Sequence, residues 1–189
     1  RPEVLAAMGA RSRTGYALKT LLAEPDLLAA TLDTLATLAT TSRRQLVLSV
    51  PSPALWLRWS HEIAGTALDS VDADRADSAS MYVAEWLGHL GGVPVALVLA
   101  DARGQGVDGE PERLETYSAL TNVVSHFDWS VAIRHDSEIR STPGGPALGV
   151  LGDDFWTGDA EVPDADVLVT AIPGSAPPEH VLDQLAKLS

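Results

Sequence analysis

Cysteine is absent from all 189 residues. That excludes disulfides, thiolate nucleophiles and thiolate metal sites. No stretch of eighteen apolar residues runs free of charge, so no membrane-spanning helix and no membrane partner are expected. There is no basic-then-apolar signal pattern at the front, and the chain opens at Arg1 rather than Met, which leaves room for upstream residues. Together these features fit a cytoplasmic protein. Positive charge is also scarce: 13 Lys and Arg stand against 26 Asp and Glu, a net charge of -13. The imbalance is uneven. Residues 1–60 carry seven Lys and Arg and four Asp and Glu, a net of +3, and the remainder is strongly acidic. An acidic surface of that size repels phosphate backbones, so a nucleic-acid partner is not expected.

Several motifs are missing as well. Ser49, Ser52 and Ser60 lie in no G-x-S-x-G elbow. His61-Glu62 begins like a zincin motif, but position 65 is Gly. The first strand is followed by Pro51-Ser52-Pro53 where a dinucleotide fold needs a glycine-rich turn. No cofactor and no metal are therefore expected.

What is present is alternation. β-Forming runs at 45–50, 95–100, 129–134, 147–151 and 166–171 are separated or flanked by stretches of helical periodicity. Ser52-Pro53 has the form of a cap and first turn for a helix ending at Gly65. Ala76, Ala79, Tyr82, Val83, Trp86, Leu87 and Leu90 share a face of the next helix. Leu114, Tyr117, Leu120, Val124 and Phe127 form the buried side of a helix starting at Glu110 or Pro111. Asp26 to Ala39 reads as an amphipathic helix whose Ala and Thr content suits packing on a sheet. The stretch 154–165 reads as a loop. The apolar runs are nearly continuous, as in parallel strands covered on both faces. The expected fold is α/β, a mainly parallel sheet with helices outside, in one domain over 1–189 with residues 1–44 packing on the sheet.

With these residues in place, the order resembles the later part of the (β/α)8 barrel in the cobalamin-independent methionine synthase and uroporphyrinogen decarboxylase superfamily. The points of likeness are a strand followed by a proline-started helix at Ser49-Val50-Pro51-Ser52-Pro53, and a long helix leading to a strand that ends in an acid, from Tyr82 to Asp101. The methionine-synthase branch ends that strand Asp-Glu-Pro, where this chain has Asp101-Ala102-Arg103. It ends the next strand His-x-Cys, where this chain has His135-Asp136-Ser137. The resemblance implies a truncated TIM-barrel-like sheet, since a full barrel usually takes about 250 residues. It does not carry over zinc–thiolate chemistry, because the Cys ligand is missing. A truncated barrel exposes strand edges, so a homo-oligomer or a partner completing the barrel is expected, with residues 16–41 or 53–64 as the contact.

Ligands in parallel α/β proteins sit at the carboxyl ends of the strands. Asp101, His135 and Asp153 each follow an apolar run. Asp101 and His135 are the candidate catalytic pair for acid–base work. Arg103 is a candidate carboxylate clamp, and Asp153 and Trp156 complete the candidate substrate-binding set. The function these residues suggest is a small-molecule enzyme, a lyase, isomerase or transferase acting on a polar metabolite. The alternatives are a non-catalytic barrel remnant that binds a ligand or partner, and an α/β domain whose function needs upstream sequence. Five Trp residues favour a buried aromatic pocket or interface over pure scaffold.

Overall fold

The computed structural model describes residues 1–104, 107–109, 111–136, 138–158 and 160–188. The chain divides into two compact units, Arg1–Asp136 and Ser137–Ser189.

The first unit begins with three helices, α1 (Pro2–Met8), α2 (Tyr16–Leu22) and α3 (Pro25–Ser42). Strand β1 (Leu46–Pro51) leads into α4 (Pro53–Ala64), and α5 (Ala73–Gly88) into β2 (Val95–Asp101). A 3-10 turn at Leu114–Thr116, α6 (Ser118–His126) and β3 (Ser130–Arg134) complete it. The expected strand positions agree with the observed ones to within a residue.

Local chemistry sets these boundaries. Ser52 Oγ accepts from Leu55 N at 3.2 Å and caps α4, with Pro53 in the first turn and Gly65 closing the helix at φ 66°. Asp72 does the same for α5 through Arg75 N at 2.8 Å. The three strands are parallel and lie in sequence order, β1-β2-β3. Register places Leu48, Val98 and Val131 in one row and Val50, Ala100 and Ile133 in another. Both rows join a single core with Ala54 and Leu57 of α4, Ala79, Val83 and Leu87 of α5, and Leu120 and Val124 of α6. All three helices thus cover the same face. Each fully buried Leu or Val there contributes roughly 1.5–3 kcal/mol.

Some details depart from expectation. The helix expected from Glu110 or Pro111 begins only at Ser118, after the 3-10 turn; Glu110 itself lies outside the described residues. Strand β1 is not covered on both faces: Val47 is 49% exposed and Ser49 is exposed, because β1 lies at the edge of the three. Helix α3 buries no residue fully. Its Thr31, Thr34, Thr37 and Thr40 hydroxyls instead bond back to the carbonyls four residues earlier, while Leu28, Leu32 and Leu35 lean on the core. Helix α2 packs on α4 and α5, and α1 on α2 and α4.

The second unit contains β4 (Ile139–Ser141), β5 (Leu148–Leu151), α7 (Asp153–Thr157), β6 (Val167–Thr170) and α8 (Pro178–Ala186). β5 and β6 pair in parallel. Its core is Leu151, Phe155 and Trp156. The stretch expected to be a loop opens instead as α7, which carries both aromatics inward.

The molecule is thus α/β, with mostly parallel strands and helices around them. Among the described residues the strands close no barrel, and no helix is long and apolar enough to cross a membrane.

Candidate functional site at the carboxyl ends of the strands

Pairing of Pro51 with Asp101, and of Asp101 with Arg134, puts the ends of the three strands in one row. That row lies on the face opposite the helices, one residue beyond Val50, Ala100 and Ile133. Two backbone bonds continue the alignment: Ser52 N donates to Asp101 O at 2.8 Å, and Ala102 N to Arg134 O at 2.8 Å. The residue after each strand is therefore fixed by the sheet itself.

Asp101 and Arg103 meet in a two-pronged ion pair. Arg103 Nε donates to Oδ1 at 2.9 Å and Nη2 to Oδ2 at 2.7 Å, and Arg103 N adds a bond of 3.1 Å. These bonds hold the Asp101 carboxyl below its ordinary range, so it stays ionised. Arg134 lies close enough to Arg103 that burial and the neighbouring cation together lower its guanidinium pKa. Arg103 in turn feels Asp136. The rim thus holds two guanidinium groups beside Asp101 and Asp136, and Arg103 keeps N–H donors beyond those bound to Asp101.

A second group was not anticipated from the sequence. Glu112 is only 7% exposed. Ser52 Oγ donates to its Oε1 at 2.8 Å, and the buried Tyr117 hydroxyl donates to its Oε2. Burial drives the Glu112 carboxyl above its ordinary value, against the opposing pull of those two bonds and of the nearby His135. Burial and the Glu112 charge likewise raise the Tyr117 phenol, which stays protonated as a donor. His135 is half-buried, directly after β3. A carboxyl shifted toward neutrality beside an imidazole is a proton-transfer arrangement.

Of the expected site residues, Asp101 and Arg103 are in direct contact, and His135 acts on Glu112. Asp153 and Trp156 belong to the second unit. Asp153 is exposed at the start of α7. Trp156 is buried, with its indole Nε1 donating to Thr170 Oγ1 at 2.6 Å. Glu112 escaped notice because a Glu between Pro111 and Arg113 has the look of a solvated loop. The available signal was Tyr117, already placed on a buried side, whose hydroxyl needs a buried partner. Among the described residues no group of three or more His, Asp or Glu is arranged to hold a metal ion.

No family model, curated protein or solved structure matches this chain.

Proposed function

We propose that the carboxyl rim of β1, β2 and β3 is the site of a small-molecule enzyme that moves a proton on a polar, carboxylate-bearing metabolite, in a lyase, isomerase or transferase reaction without zinc–thiolate chemistry. The observation that carries it is Glu112, a buried carboxyl with a raised pKa, held by Ser52 and Tyr117 and facing the charge of His135. In this assignment Arg103 and Arg134 take the substrate carboxylate, Glu112 removes a proton, and His135 supplies one at the neighbouring atom. Asp101 stays ionised and positions Arg103. Sequential parallel strands with every helix of the core on one face are also what an arc of a (β/α)8 barrel requires. That supports the truncated-barrel reading and, through the exposed Val47 on β1 and Trp59 and Ile63 on α4, self-association, which sedimentation at micromolar concentration checks.

The test is hydrogen exchange at carbon, followed by NMR in deuterated buffer over a panel of small hydroxy- and keto-acids. Wild type is expected to exchange at least one of them, with a loss on the order of 100-fold in Glu112→Gln and in His135→Asn. The opposite result is a panel member that binds, exchanges nothing, and binds equally well to both variants. That outcome transfers the site to the non-catalytic, ligand-binding reading, which the locked Asp101–Arg103 pair favours.

A further inference from the structure

Positive charge is rare in this chain, yet three cations converge on one cleft away from the strand ends. Arg11, Arg13 and Lys19 line an open cavity of about 560 Å³ between the loop before α2, α2 itself and α5. That volume is within the range of small-molecule sites. Among the described residues none of the three is paired with a carboxylate. The one acid lining the cavity, Glu24, is already engaged by Arg1 at 3.6 Å. Arg11 instead lies 5.3 Å over the ring of Tyr16, and Lys19 lies 5.9 Å over the ring of Tyr82. A cation resting on a ring face keeps its N–H donors available for an anion.

The wall behind these cations is held from inside. His61 is 1% exposed, and its Nε2 accepts from Gly15 N at 3.3 Å. The other ring nitrogen therefore carries the proton, facing Thr66 Oγ1 at 2.9 Å. Gly15 sits at φ 81°, and a Cβ there would approach Tyr82 Cε2 to 2.9 Å. Buried His61 thus fixes Gly15, and Gly15 seats the Tyr82 ring. A second cavity of about 160 Å³ shares Lys19 and Tyr82 with the first and is lined also by Leu28 and Trp86, with Glu85 and His89 at its wall. The cleft has a cationic end and an aromatic end.

We infer that this cleft binds a phosphorylated molecule carrying a planar ring, of the size and chemistry of a nucleoside monophosphate, with Arg11, Arg13 and Lys19 on the phosphate and Tyr82 and Trp86 along the ring. The inference is independent of the chemistry proposed at the strand ends.

Calorimetric titration of the full chain with AMP, adenosine, inorganic phosphate and polyphosphate tests it. AMP is expected to bind at least tenfold more tightly than adenosine or phosphate, and to weaken as salt is raised. Arg13→Ala and Lys19→Ala are each expected to weaken it about tenfold, and Trp86→Phe to remove most of the accompanying tryptophan fluorescence change. Gly15→Ala is expected to abolish binding; since that variant can fail to fold, circular dichroism accompanies it and the surface variants Arg13→Ala and Lys19→Ala decide the matter. Adenosine binding as well as AMP, polyphosphate binding as well as AMP per phosphate, AMP affinity unchanged in both cation variants, or no AMP binding at 10 mM on the order-of-magnitude scale of weak ligands would each overturn the assignment.

Discussion

The two units of this molecule treat buried polar groups differently. The first has a core running from Leu18 on α2 to Ile133 on β3, and within it Glu112 and His61 are both buried. The second is built on Leu151, Phe155 and Trp156, and its buried polar side chain is the uncharged Gln184, whose Nε2 donates to Gly158 O at 2.7 Å. Burying a group that can ionise costs free energy unless it is bonded or shifts its pKa. Only a unit with a large apolar surplus tolerates two such groups. The comparison teaches where to look for chemistry: titratable groups kept inside at a cost to stability are found in the larger core, at the strand ends and behind the basic cleft.

The largest expected effect lies in the smaller unit. Trp156→Ala removes the centre of a three-residue core and its bond to Thr170, at a cost of about 3–5 kcal/mol. Hydrogen exchange should show residues 138–188 losing protection while β1, β2 and β3 keep theirs. Equal loss throughout would mean that the two cores do not act separately.

Glu112→Gln sharpens the contrast from the other side. The folded-state pKa of Glu112 is raised above its unfolded value. Its stabilising effect is therefore complete below the unfolded value near pH 4.3 and is lost as pH rises through the folded value. At pH 8 the variant is expected to be more stable than wild type, while at pH 4 the advantage disappears. Denaturant melts at both pH values measure this. A variant less stable at pH 8 would show Glu112 to be a net structural tie between Ser52 and Tyr117.

A smaller effect is expected at His61, whose pKa burial lowers. Here the stability is fully present above the unfolded value near pH 6.5 and is lost as pH falls toward the folded one. The melting temperature of wild type should drop between pH 7 and pH 5 by more than that of His61→Gln, whose amide oxygen can still accept from Gly15 N. Parallel curves would remove His61 from the acid response.

Much of this layout was legible in the chain and some was not. The five expected strands were, because apolar runs bounded by Pro, Gly and charge leave little freedom, and α4 announced itself through Ser52-Pro53; the short β4 was not, since Ile139-Arg140-Ser141 has a single apolar residue. Asp101 and Arg103 were singled out, but as a catalytic acid and a substrate clamp and not as partners of each other. Glu112 was hinted at only by the buried Tyr117 hydroxyl, since its burial also depends on Ser52, sixty residues earlier. The exposed face of β1 was hidden for a similar reason: Val47 and Ser49 carry no mark of being at an edge. Helix α7 was missed because Asp153-Asp154 before Phe155-Trp156 suits a loop as well as a first helical turn. The basic cleft was visible only as a charge difference between chain segments, with nothing to say that Arg11, Arg13 and Lys19 meet.

The proposed chemistry needs Glu112 to be a buried carboxyl that exchanges a proton beside His135. Its most direct test is a carbon-13 NMR titration of the glutamate side-chain carboxyls, with Glu112 assigned by its absence in Glu112→Gln. The expected result is one carboxyl titrating clearly above the ordinary glutamate value near 4.3, and moving higher still in His135→Ala, where the opposing positive charge is gone. A Glu112 carboxyl that titrates at or below the ordinary value, and ignores the loss of His135, would contradict it.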